Sequence, residues 1–250
     1  MTNNTVLDAF LGAFLDSASV DDSVFTLRPD YRAVLIAVDG IVPGPSDDTS
    51  EALLVAAEAS CRAALGNSPV EEIPHVAAWR DAYRAFGSKP QRTRNSLEAL
   101  MRRADTGLPR VNRLTDLYNA ISVTHQIPLG GEDLAHYRGA PRLVRSTGAE
   151  PFEIMANGEP ATEHPEPGEV VWTDDAGITC RRWNWRQGHR TQLTDATTSA
   201  LFIMDALEPL DDDALAAATL QLTSQLTRLG PDVRVAQRVL RNGDAQSRGQ

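Results

Sequence analysis

Apolar positions recur on a helical period in residues 6–15 (VLDAFLGAFL), which predicts an amphipathic opening helix. The pattern then changes. Residues 31–41 (YRAVLIAVDGI) form an unbroken apolar run rich in β-branched side chains and ended by Pro-Gly-Pro, as expected of a strand buried on both faces. Ser46 or Asp48 is placed to cap an Ala-rich helix over 49–65, closed by Gly66-Asn67. A second helix over 74–86 carries Trp79, Tyr83 and Phe86 on one face, and two more are predicted over 96–104, capped by Asn95 or Ser96, and over 114–125. From residue 141 the segments shorten to strands at 142–146, 152–155, 169–173 and 178–187. The last two flank an Asp-Asp-Ala-Gly turn and read as a hairpin. Residues 197–207 read as helix, 212–229 as an Ala/Leu/Thr helix closed by Gly230-Pro231, and 232–240 as a strand or a helix.

Helices grouped early and antiparallel strands later imply a mixed α/β (α+β) single domain, a mixed or antiparallel sheet flanked by helices. Residues 1–30 would supply an N-terminal helix and lead-in, 31–207 the main domain, 208–240 a C-terminal helical extension and 241–250 a flexible tail. Neither Gly-x-Gly-x-x-Gly nor Gly-x-x-x-x-Gly-Lys-Ser/Thr occurs, which removes both phosphate loops of nucleotide-binding folds.

A net charge of −10 over 250 residues argues against nonspecific coating of nucleic acid or membrane. The charge is uneven, however. Residues 84–113 hold eight basic side chains against two acidic, a local net of +6 that includes Lys89, Arg92 and Arg94. Two cysteines, Cys61 and Cys180, give neither a disulfide framework nor a metal spacing, and the first residues lack a signal-peptide pattern. A soluble cytoplasmic protein is expected, with no membrane association.

Candidate chemistry concentrates in residues 180–190, Cys-Arg-Arg-Trp-Asn-Trp-Arg-Gln-Gly-His-Arg, with four arginines, two of the four tryptophans and no carboxylate. Guanidinium and indole planes hold phosphates, carboxylates and stacked bases. The same run also reads as an ordinary strand with Arg182, Asn184 and Arg186 on one side and Trp183, Trp185 and Gln187 on the other. Gly130-Gly131-Glu132-Asp133 offers close backbone approach beside two carboxylates, or merely a turn whose acidic pair starts a short helix ending near Tyr137. His189, next to Arg190 and Thr191, is a candidate base. No histidine cluster suits a metal, and no Gly-x-Ser-x-Gly suggests a covalent nucleophile.

The segments Arg110-Val111-Asn112-Arg113-Leu114-Thr115-Asp116-Leu117-Tyr118-Asn119-Ala120 and Pro128-Leu129-Gly130-Gly131-Glu132-Asp133-Leu134 resemble the tRNA-binding and editing domain of the phenylalanyl-tRNA synthetase beta chain, the B3/B4 domain. Ala85-Phe86-Gly87-Ser88-Lys89-Pro90 and Arg181-Arg182-Trp183-Asn184-Trp185-Arg186-Gln187 are similar to its stand-alone bacterial version. The resemblance spans 31–207 and implies a pocket that admits the aminoacyl end of a tRNA and hydrolyses its ester, with no metal or organic cofactor. It makes Glu132 and His189 the catalytic candidates. Gly130, Gly131, Arg182, Trp183, Asn184, Trp185, Arg186, Gln187, Arg190 and Thr191 become the substrate-binding candidates, with Lys89, Arg92 and Arg94 on the RNA backbone. In two places the chain departs from the family: Gly130 stands where the family carries His, and Gln192 where it carries Glu. Two readings follow, a trans-acting hydrolase of misacylated tRNA or a noncatalytic module for tRNA or an amino-acid-like ligand. A vestigial pocket on a protein-binding domain is a third.

Overall fold

The computed structural model describes residues 2–243, with side chains from residue 9 onward. Helix α1 (Thr2–Ser17) leads through a two-residue strand β1 (Ser19–Val20) and a short helix α2 (Asp22–Leu27) into β2 (Arg32–Asp39), the apolar run foreseen as a buried strand. Helix α3 (Asp48–Leu65) starts at Asp47, between the two expected caps. The Asp47 carboxylate accepts from Ser50 N at 2.8 Å, and Ser50 Oγ accepts from Asp47 N at 3.0 Å. Three helices follow: α4 (Pro74–Ala85), α5 (Ser96–Met101) capped by Asn95, and α6 (Arg113–His125) capped by Asn112.

The second half supplies strands β3 (Leu129–Asp133), β4 (Arg142–Arg145), β5 (Phe152–Ala156), β6 (Glu159–Glu163), β7 (Val170–Asp174), β8 (Gly177–Arg181), β9 (Arg186–Gln187) and β10 (Ala200–Ala206), then α7 (Asp212–Leu226) and β11 (Arg234–Arg241). The fold is mixed α/β. A four-stranded antiparallel sheet runs β11-β2-β10-β3, a five-stranded sheet β1-β4-β7-β8-β9, and β5 pairs with β6. One face of the four-stranded sheet (Leu35, Ala37, Leu201, Ile203) packs with Leu143, Val170 and Trp172 of the five-stranded sheet and with α1, α2 and α4. Its other face (Ile36, Val38, Phe202, Met204) packs on α6 and α7. Alternation along each strand thus faces two layers, which is why these strands read as continuous apolar runs. Among the described residues no helix is long and apolar enough to cross a membrane.

The β7–β8 pair is antiparallel, as the turn chemistry predicts. Asp174 Oδ1 accepts from Ala176 N and Gly177 N, and Gly177 has φ +138 with Pro151 O only 2.5 Å from where a Cβ would stand, so no other residue fits.

Four expectations need correction. Residues 197–207 are not helical: β10 occupies the centre of the four-stranded sheet, and all seven of its residues are buried. An apolar run without polar gaps carries no period to read, and seven residues is a strand's length. Residues 208–240 are not helical throughout: α7 fills 212–226 as expected, but β11 then pairs with β2 from Arg234–Asp39 to Arg241–Arg32. The strand expected over 178–187 stops at Arg181, where Arg182 (φ 48) and Trp183 (φ 69) turn left-handed and β9 folds back on β8. Finally, Gly130 to Asp133 lie in β3, paired with β10, rather than in a turn starting a helix; a 3-10 turn (Leu134–His136) follows. Of the expected tail 241–250, residues 244–250 lie outside the described residues.

Candidate functional site

Strands β3 and β10 place two carboxyl side chains on one face of the sheet. Glu132 pairs with Leu201, and Asp205 follows Leu201 by an even step. Opposite them, the β8–β9 connection brings up Asn184 to Gln187. Between lies a cavity of about 230 Å³ whose lining includes Gly130, Glu132, Asn184, Trp185, Arg186, Gln187 and Asp205, closed on one side by Tyr118 and Asn119 of α6. The glycine motif and the arginine-tryptophan motif, far apart in sequence, therefore face one space.

Glu132 is 2 % exposed, and burial pushes its carboxyl up to about 7 against the hydrogen bond from the Tyr137 hydroxyl, which favours the ionised form. Burial likewise raises Asp205 to about 7, although it accepts from Tyr31 OH at 2.5 Å and Asn184 Nδ2 at 3.3 Å. Asn184 is itself oriented by Tyr83, whose hydroxyl donates to Oδ1 at 3.0 Å. Two buried acids that titrate near neutrality can accept a proton from water or pair with an ammonium group. Trp172 and Trp183 also line the cavity, but their Nε1 atoms are buried away from its surface, the first beside Asp205 and the second beside the Tyr31 hydroxyl. The Asn119 side chain makes no hydrogen bond with a described residue, and Arg186 stands at the cavity with Glu163 3.5 Å away.

The remaining candidates divide. Gly131 carries structure: a Cβ there would meet Phe202 at 2.7 Å and Leu193 at 2.8 Å, while its carbonyl accepts from Gln187 Nε2 at 2.7 Å. Trp183 is wholly buried in an aromatic cluster, with ring centroids 5.0 Å from Tyr31 and 5.2 Å from Trp79, so it cannot open to stack an adenine. Its left-handed backbone, and that of Arg182, cost of order 1–3 kcal/mol each. Bonds from Trp183 N to Val170 O at 2.6 Å and from Arg182 N to Glu169 Oε1 at 3.1 Å hold them.

His189 is exposed and does not line the cavity; its backbone N donates to Glu153 O at 2.9 Å. Arg190 is committed to Asp174 at 2.7 and 2.9 Å, and Thr191 is buried outside the cavity. Gln192 is exposed, its backbone bridged to Glu132. Arg182 lines a different cavity together with Lys89 and Arg92. Arg94 leans on Glu98 at 3.7 Å. The +6 segment is not a free patch either, because Arg84, Arg102, Arg110 and Arg113 pair with Asp81, Glu71 and Glu98, Glu51 and Glu58, and Asp47.

Sequence reasoning missed Asp205, Tyr31 and Asn119 as parts of the site. Asn119 had a signal, the Asp116-x-x-Asn119 helix motif. Asp116 proves structural, accepting from Val111 N at 2.7 Å, while Asn119 faces the cavity. Of the other histidines, His75 is a core pin. Its Nδ1 donates to Gln126 O at 2.7 Å, its Nε2 accepts from Trp79 Nε1 and Leu207 N at 3.1 Å, and burial lowers its pKa to about 4.

A mixed α/β domain with a cavity between two sheets, mostly apolar but holding two buried carboxyls, defines the class. The B3/4 domain model matches residues 78–228, more than half the chain, and the protein belongs to that family. The match runs past residue 207 into α7. A comparison with curated proteins returns no match. Among solved structures the chain is similar to an N-terminal fragment of the phenylalanyl-tRNA synthetase beta-subunit from Pyrococcus horikoshii, at 10% identity and a TM-score of 0.47, over 89% of this chain and 50% of that one. The chain thus spans about half the length of that fragment.

Proposed function

We propose that the protein binds the aminoacylated end of a tRNA in the cavity between β3, β10 and the β8–β9 connection and hydrolyses the ester when the amino acid is wrong. The observation that carries this reading is the pair of buried carboxyls, each pushed up to about 7, lining with the Asn119 amide a cavity sized for an amino-acid side chain. Membership of the B3/4 family supports it.

In this reading Glu132, ionised, takes a proton from water; the hydroxide attacks the ester carbonyl, and the oxyanion accepts a hydrogen bond from the Asn119 side-chain amide. Collapse breaks the carbonyl–ribose oxygen bond, and the proton held by Glu132 passes to the leaving oxygen. Asp205, steadied by Tyr31 and Asn184, holds the α-ammonium of the aminoacyl group. Tyr118 and Trp185 border the space left for its side chain. Two buried free thiols, Cys61 and Cys180, accord with a reducing cytoplasm as the place of action.

Release of labelled amino acid from a panel of misacylated tRNAs tests the reading. Wild type should hydrolyse at least one member, and Glu132→Gln should lose about a hundredfold or more, the usual contribution of a general base. A second reading, binding without turnover, is favoured by Gly130 standing where the family carries His and by the exclusion of His189 from the cavity. It prevails if wild type binds the aminoacyl-tRNAs and cleaves none; absence of both binding and cleavage defeats both.

A further inference from the structure

Trp185 lines the first cavity, and the Arg182 guanidinium stacked on its ring at 4.4 Å lines a second, of about 280 Å³. Its walls carry Phe86, Ser88, Lys89, Arg92, Thr93 and Arg182, with two carboxylates, Glu166 and Glu169. Glu169 is answered from behind: Arg181 donates to its two oxygens at 2.9 and 2.8 Å, with both side chains buried. Glu169 also pairs with Arg182 Nε at 3.6 Å, so Glu166, which is exposed, is left to offset Lys89 and Arg92. Lys89 and Arg92 are exposed and form no ion pair with any described residue, whereas most arginines of the surrounding segment are spent on carboxylates. Arg182 is held in place by its own bond, Nη1 to Thr93 Oγ1 at 2.9 Å, and Ser88 Oγ is buried with no hydrogen-bond partner.

A fixed guanidinium and two uncommitted cations make an anion site, and the planar fork of Arg182 suits a tetrahedral oxyanion. We infer that this second cavity binds a phosphate ester. Its volume exceeds what a phosphate group needs and leaves room for the sugar that carries it, beside the half-buried Phe86 ring. The left-handed turn at Arg182 and Trp183 sends Arg182 to this cavity and Asn184 to Gln187 to the other, so one short connection serves both. Under the function proposed above, the phosphate is the one next to the aminoacylated nucleoside. The inference rests on that reading for what bears the phosphate, not for the phosphate itself.

Calorimetric titration of the full chain with inorganic phosphate, adenosine, adenosine 5′-monophosphate and a short single-stranded RNA tests it. The monophosphate or the RNA should bind, adenosine at least tenfold more weakly. Lys89→Ala combined with Arg92→Ala should weaken binding at least tenfold, and for RNA should reduce the slope of log K against log salt by about one to two. Arg228→Ala, an exposed arginine outside the cavity, should change nothing. Monophosphate binding as tight as RNA identifies a free nucleotide as the source; much tighter RNA identifies a nucleic-acid backbone; either keeps the site. Equal binding of adenosine and its monophosphate, no binding of any probe, or a double variant that binds like wild type and melts like it, overturns the inference. Glu132→Gln should retain phosphate binding, so loss of hydrolysis and loss of this site are read separately.

Discussion

Replacing Glu132 by Gln should make folding stability less sensitive to pH, by an amount the structure sets. The carboxyl moves from 4.5 in the unfolded chain to about 7 in the fold because burial disfavours its charge. A raised acid contributes stability that is fully present below 4.5 and is lost as pH rises through 7, since the unfolded chain ionises first. Between pH 5 and pH 8 that loss is about 2–3 kcal/mol. An amide of the same shape still accepts from the Tyr137 hydroxyl and carries no such cost. The stability difference, variant minus wild type, should therefore grow by about 2–3 kcal/mol from pH 5 to pH 8, or roughly 5–10 °C in Tm for a chain of this size. Denaturant unfolding at the two pH values, fitted with a common m-value, measures it. A difference that stays the same at both pH values would falsify the raised pKa, and with it the case for Glu132 as a base poised at neutrality.

Tyr137→Phe removes the hydroxyl that favours ionised Glu132, so the acidic limb of the hydrolysis profile should move to higher pH, and an unmoved limb would separate Tyr137 from the chemistry. His75 acts with the opposite sign to Glu132: its pKa falls from 6.5 to about 4, so the stability from holding it neutral is present above 6.5 and lost as pH falls toward 4. That loss is about 3 kcal/mol, and the His75 ring resonances should show no titration above pH 5. Gly131→Ala should destabilise by about 1–3 kcal/mol, because its Cβ meets the Phe202 ring and Leu193 on the sheet face away from the cavity; chemical unfolding would show it. Arg181→Met should cost about 3 kcal/mol by leaving buried Glu169 with Arg182 as its remaining partner, and adding Glu169→Gln should recover part of that in a double-mutant cycle.

Local signals carried the helices and the β7–β8 hairpin because caps and turns act over a few residues. Asn95 accepts from Glu98 N and Asn112 from Thr115 N, each three positions on, and Asp174 gathers the amides of its own turn. Where structure depended on partners remote in sequence, the local pattern misled. β11 was ambiguous on its own, and only pairing with β2 makes it a strand. The run at 180–190 alternates as a strand should, yet two of its residues turn left-handed, held by Glu169 and Val170, more than ten positions back.

The candidate site shows the same division more sharply. The sequence marked the glycine and arginine-tryptophan motifs, and the fold brings Gly130, Glu132 and Asn184 to Gln187 to one cavity. Arg190 and His189 look equally reactive in sequence, but Asp174 claims the first and the second faces water. Asp205 was passed over because one carboxylate in Ala-Leu-Phe-Ile-Met-Asp-Ala offers no pattern; its neighbours say only that it is buried. Its meaning comes from register. With Glu132 opposite Leu201, an even step along β10 puts Asp205 on the same face as Glu132, and a slip of one residue would turn it toward α6 and α7. The acidity of the cavity is thus a property of the β3–β10 pairing, and mutations that disturb that register should disarm the site without touching either carboxylate.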